Sequence, residues 1–200
     1  MSNDPFATDE RRALAALTAD FTAKEIAPYL DQWEDAELVP REVHRSLGDA
    51  GLLGIGYPEE FGGSGGDSID VTVLTESLIG AGASGGAFAS LFSHGIAVPH
   101  IIDAAKRRLA DGDTVGAQWL LDEYVRPVLA GDKIAALGVT EPDGGSDVAH
   151  LRTRAVREGD GWIINGAKTY ITSGVRADVV VVAARTGEEG AGGVSLFAVD

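Results

Sequence analysis

Cysteine is absent from the 200-residue sequence, which excludes a disulfide framework and a thiolate metal site and leaves the redox compartment open. Basic residues are scarce as well: 16 Lys and Arg stand against 31 Asp and Glu, a formal net charge of −15. Nucleic acid and anionic membrane surfaces are bound by clustered cations, so this balance argues against both as partners. Any anionic ligand must be held by local groups. No continuous apolar run reaches the roughly eighteen residues of a membrane span. The N-terminus, MSNDPFATDE, has neither the apolar segment of a secretory signal nor the Arg-rich character of an organelle transit peptide. A cytoplasmic location is the resulting expectation. Internal repeats and low-complexity tracts are also missing, and no His, Asp and Glu spacing matches a metal site.

What is present is enough apolar material for a core, 44% of the residues, in a chain long enough for one ordinary domain or two small ones. From Asp9 to about Trp33 the residues Leu14, Leu17, Phe21, Ile26, Leu30 and Trp33 recur at helical spacing, with Pro28 expected to kink or divide the helix. Pro40 can open a short second helix carrying Val43 and Leu47, with Gly51 as its stop. Gly54 to Gly66 is a Gly-rich loop. Asp67 or Ser68 can cap a third helix with a stripe of Val71, Leu74 and Leu78. A fourth is expected over Ser84 to Ile96, where small residues allow close backbone packing, and an antiparallel pair over Pro99 to Leu109 and Gly116 to Leu129. His94, alone on its helix, reads as a packed residue.

From Ile134 the period shifts towards two. Ile134 to Val139, Leu151 to Arg157, Trp162 to Ile164, Asp178 to Arg185 and Val194 to Val199 are short, turn-bounded segments of strand character. Val179 to Ala184 is apolar on both faces and is expected to be fully buried. The spacing therefore predicts helices over 1–131 and an antiparallel β-domain over 132–200.

The most informative stretch is Leu137 to Thr172, LGVTEPDGGSDVAHLRTRAVREGDGWIINGAKTYIT. It reads as a polar Gly-rich loop, a hairpin turning at Asp160-Gly161, and a second turn at Asn165-Gly166 leading into Tyr170-Ile171-Thr172. Strand ends and Gly-rich turns of this kind present unobstructed backbone N–H groups to a ligand.

Val139-Thr140-Glu141-Pro142, Gly145-Ser146-Asp147, Asn165-Gly166-Ala167-Lys168 and Tyr170-Ile171-Thr172, in this order and preceded by Pro58 to Gly66 (PEEFGGSGG), resemble the flavin-binding segments of acyl-CoA dehydrogenases. The resemblance implies an α+β multidomain protein: an all-α N-terminal domain, then an antiparallel, barrel-like middle domain left incomplete at Asp200, with a C-terminal four-helix domain to follow. It further implies FAD as cofactor, held by Leu137, Val139, Thr140, Tyr170, Ile171 and Thr172, with Ser146 along the path of the acyl-CoA. Relatives often carry Trp where Tyr170 stands; the aromatic face is kept and a hydroxyl is added. The reaction implied is α,β-dehydrogenation of an acyl-CoA thioester to the trans-2-enoyl-CoA, with electrons leaving to an electron-transfer flavoprotein. The family's catalytic base is a glutamate in the C-terminal domain, so no catalytic residue is assigned within these 200. A dimer or tetramer of identical chains is the implied assembly. A flavin oxidase or monooxygenase on the same scaffold, or a non-catalytic partner subunit, are the alternative readings.

Overall fold

The structure, a computed structural model, describes residues 6 and 8–200. The reading of the extreme N-terminus as lacking a leader rests in part on residues outside these. By contacts the chain divides into two compact units, Met1–Phe92 with Trp119–Asp132, and Ser93–Gln118 with Lys133–Asp200.

The first unit is helical. α1 (Asp9–Glu25) ends at Ile26, a 3₁₀ turn spans Ala27–Tyr29, and α2 (Leu30–Asp35) resumes, so Pro28 divides the helix as its missing N–H requires. Leu14, Phe21 and Ile26 of the expected face pack against or within the core, and the stripe departs from expectation at Leu17. Leu17 is 47% exposed, while Thr18 and Thr22 are fully buried, the Thr22 hydroxyl donating to the Thr18 carbonyl at 2.8 Å. Small residues on that face allow close approach of α4 (Ser68–Gly80), the helix most extensively packed on α1. Asp67 caps α4 in a reciprocal capping box with Asp70. Both carboxylates also receive Arg11 from α1, at 3.1 and 2.9 Å. Leu74 and Leu78 are buried as the spacing predicts, whereas Val71 is exposed.

α3 (Arg41–Asp49) follows Pro40, and Gly51 takes the left-handed conformation after it (φ 74°). Ile26, Trp33, Val43, Leu47, Leu53, Leu78 and Leu91 belong to one core cluster. The Gly-rich segment that follows α3 is tightly folded. Gly65 bridges to both Ile55 and Tyr57, the Ser64 hydroxyl donates to Gly51 O at 2.7 Å, and a side chain at Gly63 would run into the Tyr57 carbonyl.

The helix expected over Ser84 to Ile96 is shorter, α5 (Gly85–Leu91), with a break at Phe92-Ser93. α6 (His94–Ala110) then runs straight through Pro99, which was expected to start a helix; its absent N–H removes one hydrogen bond without ending the helix. Taken across the Phe92-Ser93 break, Gly85–Ala110 has the length and apolar composition that a membrane span needs. Yet Val98, Ile101, Ile102 and Ala105 are buried within the protein, as on a core helix, and His94 is buried beside them. α7 (Thr114–Leu120), a π-helical turn over Leu121–Val125 and α8 (Arg126–Leu129) cover the last expected helix.

The second unit holds the sheet, with α6 packed against β1. All five expected strands form: β1 (Ala135–Gly138), β2 (Arg154–Glu158), β3 (Gly161–Asn165), β4 (Val179–Arg185) and β5 (Val194–Val199). The sheet is mixed, where the sequence led us to expect antiparallel pairing throughout. β1 runs parallel to β4 (Ala135↔Val179 to Gly138↔Val182), and β2 meets the end of β4 in parallel at Arg154↔Arg185. β2–β3 and β4–β5 are antiparallel. A parallel neighbour needs a long crossover, and the segment carrying the motif loop and the β2–β3 hairpin provides it. The hairpin turns at Gly159-Asp160, one residue earlier than expected, with Gly159 at φ 58°. β4 is the central strand. Val179, Val181, Ala183 and Ala184 are buried, and Val180 and Val182 are partly covered.

Candidate functional site

β1 delivers the chain at Gly138 into Val139, Thr140 and Glu141, all outside the ladder. A tight turn follows, because Glu141 N donates to Gly144 O at 2.8 Å and Gly144 N returns to Glu141 O at 3.1 Å. Its glycines are not required by the chain itself. A Cβ on Gly144 would meet nothing within 4 Å, and one on Gly145 only the Thr140 methyl at 3.5 Å.

The Glu141 side chain turns inward and is 8% exposed. Its carboxylate accepts from the backbone N–H of Arg152 (2.6 Å) and Thr153 (2.9 Å) and from the Lys168 ammonium (2.8 Å). Burial alone would raise its pKa. The hydrogen bonds from Lys168, Thr153 and Arg152 outweigh that, and the group is held down at about 2. It therefore stays ionised. Residues 142–151 arch between these anchors over a pocket of about 210 Å³, lined by Val139, Glu141, Gly145, Val148, His150 and Arg152 among others. The rim carries an Arg152–Asp143 ion pair at 2.8 Å and a contact of 2.7 Å between His150 Nδ1 and the Asp147 carboxylate. Ser146 is exposed at the loop's tip, and its neighbours Gly145 and Asp147 line the pocket.

The second segment is tied to the first at three points. Lys168 Nζ donates to Val139 O (3.0 Å) as well as to Glu141, and Thr169 N donates to Thr140 O (2.9 Å). At Gly166 the chain passes so close to Thr153 that a Cβ would lie 2.7 Å from its Cα. Tyr170 then takes the left-handed conformation (φ 55°) and stands 93% exposed; Ser173 repeats that conformation (φ 61°). Thr172 is exposed and Ile171 half-buried.

Of the residues read from the sequence, Val139 and Thr140 are thus joined directly to the residues that precede Tyr170, Ile171 and Thr172. Leu137 lies half-buried on β1. In the sequence Glu141 and Lys168 stand out only as members of the two motif segments, and their pairing is not apparent there. The one available signal was a charged residue shortly after a β-strand and another two positions after an Asn-Gly pair.

The acyl-CoA dehydrogenase N-terminal domain matches residues 8–109, and the acyl-CoA dehydrogenase middle domain matches residues 136–200. The chain belongs to the acyl-CoA dehydrogenase family. The long-chain specific acyl-CoA dehydrogenase of Rattus norvegicus mitochondria is 37% identical over 183 residues, covering 90% of this chain and 40% of that protein. A crystal structure of a probable acyl-CoA dehydrogenase from Mycobacterium abscessus matches with 54% identity and a TM-score of 0.88, over 98% of this chain and 49% of its own. A glutaryl-CoA dehydrogenase from Mycobacterium smegmatis, solved in complex with FADH2, matches with 27% identity and a TM-score of 0.78, over 99% of this chain and 47% of its own. The chain thus spans about half the length of the acyl-CoA dehydrogenases it matches. Its helical domain followed by a mixed-sheet middle domain is the fold of that family.

Proposed function

We propose that this chain supplies the helical and middle domains of an FAD-dependent acyl-CoA dehydrogenase that converts an acyl-CoA thioester to the trans-2-enoyl-CoA. The observation that carries the reading is the clamp joining Val139–Glu141 to Lys168–Thr169, which makes two stretches far apart in sequence into one wall from which Tyr170 projects.

That wall suits a flavin. An aromatic face held in solvent can stack on the ring system. The backbone N–H groups of Thr140, Tyr170 and Thr172 have no acceptor among the described residues, and the flavin's ring nitrogens and carbonyls are acceptors. When bound, FAD supplies the hydride acceptor for the substrate β carbon. Leu137, Val139, Thr140, Ile171 and Thr172 hold and orient it, and Ser146 lies on the approach of the acyl-CoA. Glu141 is not a base for the α proton, because its oxygens are committed to Lys168, Arg152 and Thr153 and its pKa is near 2. The base is assigned, on the family pattern, to a glutamate outside Met1–Asp200. Electron-transfer flavoprotein is the proposed acceptor, and a homo-oligomer the proposed assembly. The relatives act on acyl groups as different as long-chain and isobutyryl, so the substrate class is stated as acyl-CoA.

The test is a titration of the purified protein with FAD, followed by its fluorescence, and then anaerobic addition of acyl-CoAs of graded length with the flavin band monitored. Bound, quenched FAD is expected, with Tyr170→Ala weakening it. Failure of the protein to take up FAD would sink the reading.

A further inference from the structure

We propose that Lys168 and Ser93 are positioning residues for the flavin wall: they pin the two ends of the Lys168–Ser173 strap and so hold Tyr170 and Ser173 in the left-handed conformation. The inference rests on the flavin reading for its purpose and on geometry alone for its mechanism.

The strap is unusual in carrying two non-glycine residues at positive φ, Tyr170 and Ser173, within four positions. Side chains with a Cβ disfavour that region, and such conformations persist only where the surroundings over-determine them. Tyr170 is almost wholly in solvent, and the local backbone bonds are Gly174 N to Ile171 O at 2.9 Å and Arg176 N to Ser173 O at 3.0 Å.

The restraint comes from the two ends. At the first, Lys168 is 11% exposed and its ammonium is divided between Val139 O and the buried Glu141 carboxylate, with Thr169 N on Thr140 O beside it. At the second, the Ser93 hydroxyl, 5% exposed at the Phe92-Ser93 break before α6, donates to Ala135 O at 3.0 Å and lies 3.3 Å from Ser173 Oγ. Both pins are therefore fixed to β1 or its direct continuation, at Ala135 and at Val139 to Glu141. The strap's six residues are stretched between two points of one rigid strand, and their strain is borne by buried polar contacts rather than by packing of Tyr170. Rigid support of this kind is what orients a binding group whose side chain stands in solvent.

The experiment compares wild type, Lys168→Met, Lys168→Arg, Ser93→Ala and, as a control placed in the helical unit, Leu74→Ala. Two measurements are made: amide hydrogen exchange resolved over residues 165–176, and FAD affinity by fluorescence quenching. The expected result is exchange in 169–173 faster by tenfold or more than any change in β4 in Lys168→Met and Ser93→Ala, and FAD affinity weaker by a similar factor. Lys168→Arg, which keeps the cation, is expected to recover most of the affinity, and Leu74→Ala to lower the melting temperature while leaving affinity unaltered. Unchanged exchange in 169–173 in both pin variants would overturn the proposal, as would loss of affinity only in proportion to global stability. If the wild type bound no FAD, the flavin reading would fall, and the pinning would still be decided by the exchange pattern.

Discussion

Lys168 and Glu141 form an ion pair of 2.8 Å in which both side chains are about nine-tenths buried. A carboxylate so held is worth stability only while it is ionised. Its folded pKa, about 2, lies below its ordinary value of 4.5, so its contribution is complete above that ordinary value and is lost as pH falls through the folded one. The shift corresponds to about 3 kcal/mol. Denaturant unfolding at pH 7, 4 and 3 is expected to show a fall in stability that Glu141→Gln flattens. Lys168→Met at pH 7, which leaves the carboxylate buried and unpaired, is expected to cost about 3–5 kcal/mol. An equal pH slope in Glu141→Gln would show that other carboxylates carry the effect.

Gly166 and Gly145 share the motif region but not the constraint. A Cβ at Gly166 would press on the Thr153 hydroxyl and backbone, whereas one at Gly145 has ordinary contact distance to Thr140. Gly166→Ala is expected to destabilise by about 1–3 kcal/mol, and Gly145→Ala by less than about 0.5 kcal/mol. Thermal or urea unfolding of the two variants checks this. A larger substituent at Gly145, such as Val, is expected to act on ligand affinity and to leave the fold intact.

Tyr170 sets stability against binding. Its left-handed backbone conformation is disfavoured by about 1 kcal/mol for a side chain of this kind, and Asn tolerates it better. Tyr170→Asn is therefore expected to leave the melting temperature equal or raised while weakening FAD, because the aromatic face is gone. Thr172→Val, in contrast, is expected to slow flavin reduction by acyl-CoA more than it weakens substrate binding, on the scale of about 1–3 kcal/mol for one hydrogen bond. Unaltered reductive kinetics in Thr172→Val would remove Thr172 from the site.

In the helical unit, Asp67 caps α4 and receives Arg11 from α1. Asp67→Ala is expected to cost about 1 kcal/mol, and Asp67→Asn much less, since Asn caps as well as Asp. Chemical denaturation distinguishes them. If both variants lost the same amount, the Arg11 charge contact and not the cap would be the larger effect.

Much of this protein was legible locally. Pro28 divides a helix, Asp67 caps one, and the strand segments show in their alternation, because each of these depends on residues within a turn or two of one another. The two motif segments were legible in the same way, as turns of particular composition. What the tertiary structure alone decided is everything that joins residues distant in sequence. Whether Leu17 or Thr18 faces inward depends on how closely α4 approaches, and the parallel alignment of β1 with β4 depends on where a crossover of some forty residues returns. The pairing of Glu141 with Lys168, 27 residues on, and the contact between Ser93 and Ser173, 80 residues on, have no local spacing to announce them. A buried charge or hydroxyl finds its partner only when the fold removes both from water, and that desolvation is a property of the packed chain, not of its order.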